Sequence, residues 1–301
     1  MGLEAVLRDT FETSVFHTKT RIRSLLDSAG LSPRKRFGQC FLIDRNLMEK
    51  LVDAAELGPS DCVLEVGCGT GSLTGLLAER AGCVVTVEVD DAMIRIAREQ
   101  LSSYGNVRWL ATDALTNKSS VAAEIESAVT EDCQRVGGAL KLVANLPYDI
   151  ATSLILNLLL GNLPFARFCF TVQAEVADRF LADSDAPDYG PVSIISQLLA
   201  EGQRIAKVPA KAFWPAPKVS SAMVRLDVKS QDLVDITDAP GFARFVRSFF
   251  LHRRKTMAHL VRMLKADERL VPAMADLGIP PNVRPERVTV AQWISLFKSN
   301  G

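Results

Sequence analysis

Short apolar runs alternate with stretches of helical spacing over the first three quarters of the chain. Residues 62–66, 83–87, 107–111, 140–144 and 168–172 are rich in Val, Leu, Ala, Phe and Cys, and most of these runs are continuous rather than alternating. Continuous runs of this length mark strands buried on both faces of a sheet. Between them, residues 46–56, 72–81, 92–101, 152–160 and 173–181 predict helices; in the first, Leu47, Leu51, Val52 and Ala55 share a face before Gly58-Pro59 ends it. Strands alternating with helices predict an α/β fold built on a parallel sheet. Residues 204–208 and 222–228 read as further strands, while 193–199 fit a helix or a strand equally well. The polar stretch 117–138, closed by Gly137-Gly138, reads as a helix and loop, a possible insertion. Residues 1–29 predict one or two amphipathic helices, with Ile22, Leu25 and Leu26 among the apolar positions and Gly30 as the stop, and no chemistry attaches to them. After a polar linker at 229–240 the chain reads as helical to its end. Three parts follow: an N-terminal extension (1–32), an α/β domain (33–229) and a helical C-terminal domain (230–301).

The strand ends carry the candidate chemistry. Residues 62–66 run into Gly67-Cys68-Gly69-Thr70-Gly71, where glycines let the backbone approach a ligand at the start of the following helix. The spacing is GxGxG, so the dinucleotide fingerprint GxGxxG fails. Glu65-x-Gly-x-Gly-x-Gly instead resembles motif I of the S-adenosylmethionine-dependent methyltransferases. Glu88 ends the next strand, where an acid can grip ribose hydroxyls. Asp113 follows the third strand and can accept from an adenine amine.

Asn145-Leu146-Pro147-Tyr148 closes the fourth strand. The Asn side-chain oxygen and a carbonyl held by the proline ring can accept both hydrogens of a planar exocyclic amine. That leaves the nitrogen lone pair facing an electrophile while the Tyr ring stacks on the base. Asn and Pro are also ordinary turn residues. Four candidate residues on the carboxyl edge of one sheet, where open α/β sheets bind ligands, favour the chemical reading.

Composition narrows the class. A length of 301 residues and 48% hydrophobic content allow two domains with sizeable cores. No apolar run reaches membrane-spanning length, and the N-terminus shows no signal-peptide pattern, which predicts a cytoplasmic protein. Six cysteines without a CxxC pair and three histidines predict reduced thiols and no metal site. The formal net charge is zero, but its distribution is uneven. Residues 241–265 contain no acid, while Arg244, Arg247, Arg253, Arg254, Lys255, Arg262 and Lys265 are basic. A stretch of one sign in a neutral chain suits a phosphate backbone. Arg34-Lys35-Arg36 ahead of Phe37-Gly38-Gln39-Cys40-Phe41 suits a loop that touches phosphates and folds over a ligand.

Several of these stretches, in order, resemble the small-subunit ribosomal RNA adenine N6,N6-dimethyltransferases (KsgA type): residues 34–39, 65–71 and 145–148, Tyr189-Gly190, Phe213-x-Pro215-x-Pro217-Lys218-Val219, and Arg253-Arg254-Lys255-Thr256. The likeness spans about residues 33–298. It implies a Rossmann-like seven-stranded methyltransferase domain with a small α-helical C-terminal domain. It also implies S-adenosyl-L-methionine as cofactor and dimethylation of two adjacent adenosines near the 3′ end of small-subunit rRNA in a pre-30S particle. Carried over by position, the cofactor would meet Gln39, Cys40, Leu42, Gly67, Gly69, Glu88, Asp113 and Asn145. The base would meet Asn145, Pro147, Tyr148 and Phe170, and RNA would meet Arg34, Lys35, Arg36, Arg253, Arg254 and Lys255. Nothing suggests an obligate interface, so a monomer is expected. The chain has Cys40 where the family usually has Asn or His, and Asp149 where it usually has Asn. A large-subunit rRNA adenine methyltransferase, an assembly factor that methylates little, and a small-molecule amine methyltransferase are the alternatives at this point.

Overall fold

The computed structural model describes residues 16–34, 38–117, 120–264 and 269–300. The chain forms two compact units. The first comprises the described residues up to Leu158 with Leu163–Ala174 and Arg204–Arg225; the second comprises Leu159–Asn162, Glu175–Gln203 and the described residues from Leu226 onward.

In chain order the elements are α1 (Lys19–Ser28), β1 (Phe41–Leu42), α2 (Arg45–Ala54), β2 (Cys62–Val66), α3 (Ser72–Ala78), β3 (Cys83–Glu88), α4 (Asp91–Gln100) and β4 (Val107–Ala111). A hairpin of β5 (Leu115–Asn117) and β6 (Ser120–Val121) leads to α5 (Ala123–Val136), β7 (Leu140–Asn145), α6 (Ala151–Leu160), β8 (Phe165–Gln173) and α7 (Ala174–Leu181). Then come α8 (Pro191–Leu199), β9 (Ala200–Val208), β10 (Phe213–Trp214), β11 (Ser221–Val228), α9 (Ala239–Phe250), α10 (Met257–Met263), α11 (Leu270–Asp276) and α12 (Val290–Ser299).

Seven strands make one sheet in the order β4-β3-β2-β7-β8-β11-β9. The pairs β2–β3, β3–β4, β2–β7 and β7–β8 are parallel. The chain winds from β2 outward to β4, then restarts beside β2 with β7 and winds the other way. The carboxyl ends of β2 and β7 therefore flank the point where the winding reverses, which is where such sheets open a ligand crevice. The glycine turn follows β2, and Asn145 ends β7.

Four of the five apolar runs are buried on both faces, with Val63, Leu64, Val84, Val85, Leu142, Val143 and Ala144 all inaccessible, whereas residues 107–111 form the edge strand β4 and are only partly buried. Helix starts follow local capping. Asp44 accepts from the Leu47 amide at 3.1 Å and Asp90 from the Ala92 amide at 3.2 Å. Residues 191–199 are helical, begun by Pro191 after Gly190, as the proline's fixed φ favours at a first helical position. The polar stretch 117–138, expected to be a helix and loop, instead starts within the β5–β6 pair before α5 begins at Ala123, and residues 118–119 lie outside the described ones.

Charges at the amino edge of the sheet are tied to one another. Lys141 Nζ donates to Asp61 Oδ2 at 2.8 Å and to the Glu56 carbonyl at 2.7 Å, and Arg167 and Arg225 both pair with Glu56 at 2.8 and 2.6 Å. In the second unit, Phe245, Phe249, Trp293 and Phe297 pack ring against ring, with Phe249–Trp293 centroids 5.3 Å apart. The buried Tyr189 hydroxyl donates to the Val288 carbonyl at 2.9 Å. No helix among the described residues is long and apolar enough to cross a membrane, and none of their side-chain clusters is placed to hold a metal ion.

Glu65 sits in the middle of β2 with no exposure. Its Oε2 accepts from Thr74 Oγ1 at 2.6 Å and Thr86 Oγ1 at 2.7 Å, while Oε1 is buried without a partner. Burial, with the nearby Glu88 charge, pushes its carboxyl up to about 7 from 4.5. The folded state thus binds a proton that the unfolded state releases between those values, so this group lowers stability as pH rises through that window. The full loss is about 3 kcal/mol. Glu65→Gln keeps an oxygen for both threonines and cannot ionise. Its urea midpoint is expected to change with pH as that of the wild type does, less the fall that Glu65 contributes between pH 5 and pH 8. A parallel fall in both proteins would show that Glu65 is not the titrating group.

Candidate active site

The site is built on the loops at the carboxyl ends of β2, β3 and β7. Gly67 leaves β2 with φ +88° and Gly69 has φ +55°, conformations open to glycine. A Cβ on Gly69 would also lie 3.0 Å from the Phe41 ring. The turn therefore stays low, and its backbone forms one wall of a cavity. Glu88 faces it from the end of β3: its Oε2 accepts from the Gly69 amide at 3.2 Å and its Oε1 from the Asp90 amide at 3.0 Å. Burial raises the Glu88 carboxyl above its ordinary range against those stabilising amides. Each oxygen keeps a lone pair for a hydroxyl.

On the opposite side, Asn145 Nδ2 donates to the Cys40 carbonyl at 3.1 Å. This bond fixes which way the amide points. Its Oδ1 is buried and has no partner, an acceptor that costs about 1–3 kcal/mol while it stays empty. The Cys40 carbonyl, not its side chain, makes the contact, so the change from the usual family residue leaves this bond intact. Burial raises the Cys40 thiol, which stays neutral. The Tyr148 hydroxyl and Ser221 Oγ lie 2.7 Å apart, which anchors one end of a half-buried ring. Burial also raises the Tyr148 phenol.

The structure brings together Gln39, Cys40, Leu42, Gly67, Gly69, Glu88, Asn145, Pro147 and Tyr148 around this one cavity. Asp113 lines an adjoining cavity that shares Gly67, Glu88, Val89 and Pro147 with it, and also includes Asp149. Its Oδ1 accepts from the Leu115 amide at 3.0 Å. Phe170 lines neither cavity; it is wholly buried within β8. Arg34 pairs with the buried Asp90 at 3.1 Å, and Gln39 Nε2 donates to the same carboxylate at 3.1 Å. Both residues thus fasten the chain before β1 to the residue that caps α4. Lys35 and Arg36 lie outside the described residues. Arg253, Arg254 and Lys255 are exposed in the second unit, and none of them pairs with a carboxylate among the described residues.

Sequence reasoning missed several residues of the cavity walls, Val89, Ile22, Thr70 and Ser72 among them. Val89 is 46% exposed and lines both cavities; its signal was an apolar residue between Glu88 and Asp90. Ile22, Thr70 and Ser72 also face the first cavity, and the first of these has no local signal.

A glycine cradle at the sheet's reversal point, a carboxylate across from it, and an asparagine oxygen waiting for a donor make room for a nucleoside-linked ligand beside an amine. An S-adenosylmethionine-dependent methyltransferase requires such a site, and the residues present fit that cofactor. The chain belongs to the ribosomal RNA adenine dimethylase family, whose pattern matches residues 30–300. It is 36% identical over 286 residues to the ribosomal RNA small subunit methyltransferase A of Moorella thermoacetica, covering 94% of this chain and 97% of that one. It is 39% identical over 282 residues to the protein of the same name from Pediococcus pentosaceus, covering 92% and 93%. Among solved structures, a dimethyladenosine transferase from Plasmodium falciparum superposes with a TM-score of 0.68 at 23% identity, over 84% of this chain and 94% of that one, and shares the fold. The 23S rRNA methyltransferase ErmE superposes with a TM-score of 0.63 at 25% identity, over 86% and 98%.

Proposed function

We propose that this protein dimethylates the N6 amines of two adjacent adenosines near the 3′ end of small-subunit rRNA, acting as a monomer on a pre-30S particle in the cytoplasm. The observation that carries the reading is the buried, unpartnered Oδ1 of Asn145, held in place by the Cys40 carbonyl. Asn145 Oδ1 accepts one hydrogen of the adenine amine, and the Leu146 carbonyl, fixed by the Pro147 ring, accepts the other. The nitrogen lone pair is then directed along the remaining axis. Tyr148 stacks on the flipped base, a contact worth about 1–3 kcal/mol. The bound cofactor would supply an electrophilic methyl group to that nitrogen. The product nitrogen is acidic enough to pass its proton to water, so the chain needs no general base. Glu88 would hold the ribose hydroxyls and Gly67 and Gly69 the methionine portion, with Gln39, Cys40 and Leu42 closing the wall and Asp113 receiving the adenine amine. Arg253, Arg254 and Lys255 would meet RNA phosphates.

The small subunit is favoured over the large one by the names of the relatives that share more than a third of their residues with this chain. Purified protein and labelled cofactor are expected to transfer methyl groups to small-subunit particles that lack the modification and not to large subunits. Tyr148→Ala is expected to slow that transfer by about 10- to 100-fold, the equivalent of one lost base stack. Label in large-subunit RNA, or none in either, would overturn the assignment.

A further inference from the structure

Residues 16–29 carry no chemistry by sequence, yet they reach the cavity. His17 is 3% exposed. Its main-chain amide donates to Ser72 Oγ at 2.6 Å, and its ring Nδ1 lies 3.0 Å from Thr70 Oγ1. Those two hydroxyl residues flank Gly71, the last glycine of the turn, which has φ +94° and no side chain to hold it. Both face the cavity, and so does Ile22 on α1. Ile22 and Leu26 are buried against Phe41, Met93 and Ile96. Phe41 is the ring that Gly69 must clear. Burial, with Arg21 nearby, pushes the His17 imidazole down to about 4, so the ring is a neutral, fixed hydrogen-bonding group at working pH.

We propose that His17 is a positioning residue of the methyl-donor site: it clamps the Thr70-Gly71-Ser72 end of the glycine turn, and with Ile22 it makes the N-terminal segment a wall of the cofactor cavity. The inference rests on assigning that cavity to S-adenosylmethionine. Without the clamp, Thr70 loses a buried partner and the turn must be ordered when the ligand binds, so the loss falls on cofactor affinity and leaves RNA affinity alone.

The test is calorimetric titration of the full chain with S-adenosylhomocysteine, alongside RNA binding and thermal melting without ligand. His17→Ala is expected to weaken binding of the cofactor product by about tenfold, as for one buried hydrogen bond lost. His17→Asn, whose amide sits where Nδ1 was and can donate or accept, is expected to restore it. Thr70→Val is expected to weaken binding too, and the double variant His17→Ala/Thr70→Val to be no worse than the weaker single one. RNA affinity should not move. Unchanged affinity in His17→Ala, or equal losses for RNA and cofactor product that Asn does not rescue, would overturn the proposal and leave His17 a packing residue. If His17→Ala does not fold, affinity in His17→Asn well below that of wild type would overturn it instead. A wild-type protein that does not bind S-adenosylhomocysteine would overturn the cavity assignment itself, and the clamp with it.

Discussion

Replacing Asn145 by alanine is expected to slow methyl transfer by about 10²–10³-fold, the usual loss when one preorganised polar group facing the reacting atoms is removed. Two effects combine. The acceptor that holds the amine hydrogen is gone, and the Cys40 carbonyl loses the donor now 3.1 Å away. Affinity for S-adenosylhomocysteine should change far less than the rate, because the glycine turn and Glu88 remain. Asn145→Asp separates the two roles. Its carboxylate can accept from the amine, but its second oxygen then faces the Cys40 carbonyl, so the variant should melt lower than Asn145→Ala. Single-turnover rates with saturating cofactor and RNA give the comparison. A rate within threefold of wild type in Asn145→Ala would remove Asn145 from the chemistry.

Neutralising Arg253, Arg254 and Lys255 together should have the largest effect on RNA binding. All three are exposed, they lie in a stretch without acids, and no carboxylate among the described residues competes for them. Each phosphate contact contributes about 0.7–0.9 to the slope of log affinity against log salt, so the triple alanine variant should lose about 2–3 in slope. Affinity at low salt falls accordingly, and binding of S-adenosylhomocysteine does not. A slope equal to that of wild type would mean that these cations face only solvent. Arg34 offers an internal contrast. It is the described member of the other basic run, but it is paired with a buried aspartate. Its replacement should disturb the cavity wall more than the salt slope.

The parts of the fold legible in the sequence are those with a local cause. Strands β2, β3 and β7 announce themselves because burial on both faces demands mainly apolar runs, and glycine or a polar residue stands where each run ends because the carboxyl edge is where the sheet opens. That logic found Gly67, Glu88 and Asn145 together. It did not extend to contacts set by distant parts of the chain. Arg34 reads as a phosphate-seeking cation because its partner, Asp90, lies 56 residues away. Phe213-Trp214 reads as an aromatic loop because its pairing with Phe41-Leu42 depends on tertiary structure. Phe170 looks available for stacking on a base, yet β8 has neighbours on both sides in the sheet and the ring is enclosed. The hairpin at 115–121 is too short and too polar to register as strand. His17 is a lone histidine in an amphipathic stretch, with nothing nearby in sequence to signal the turn it meets.

The most direct test of the central claim is mass spectrometry of small-subunit rRNA from cells lacking this protein, and from the same cells complemented with wild type or Asn145→Ala. The account predicts that N6,N6-dimethyladenosine disappears on deletion, returns with wild type and does not return with Asn145→Ala. Dimethyladenosine that persists at full level in the deletion strain would contradict it.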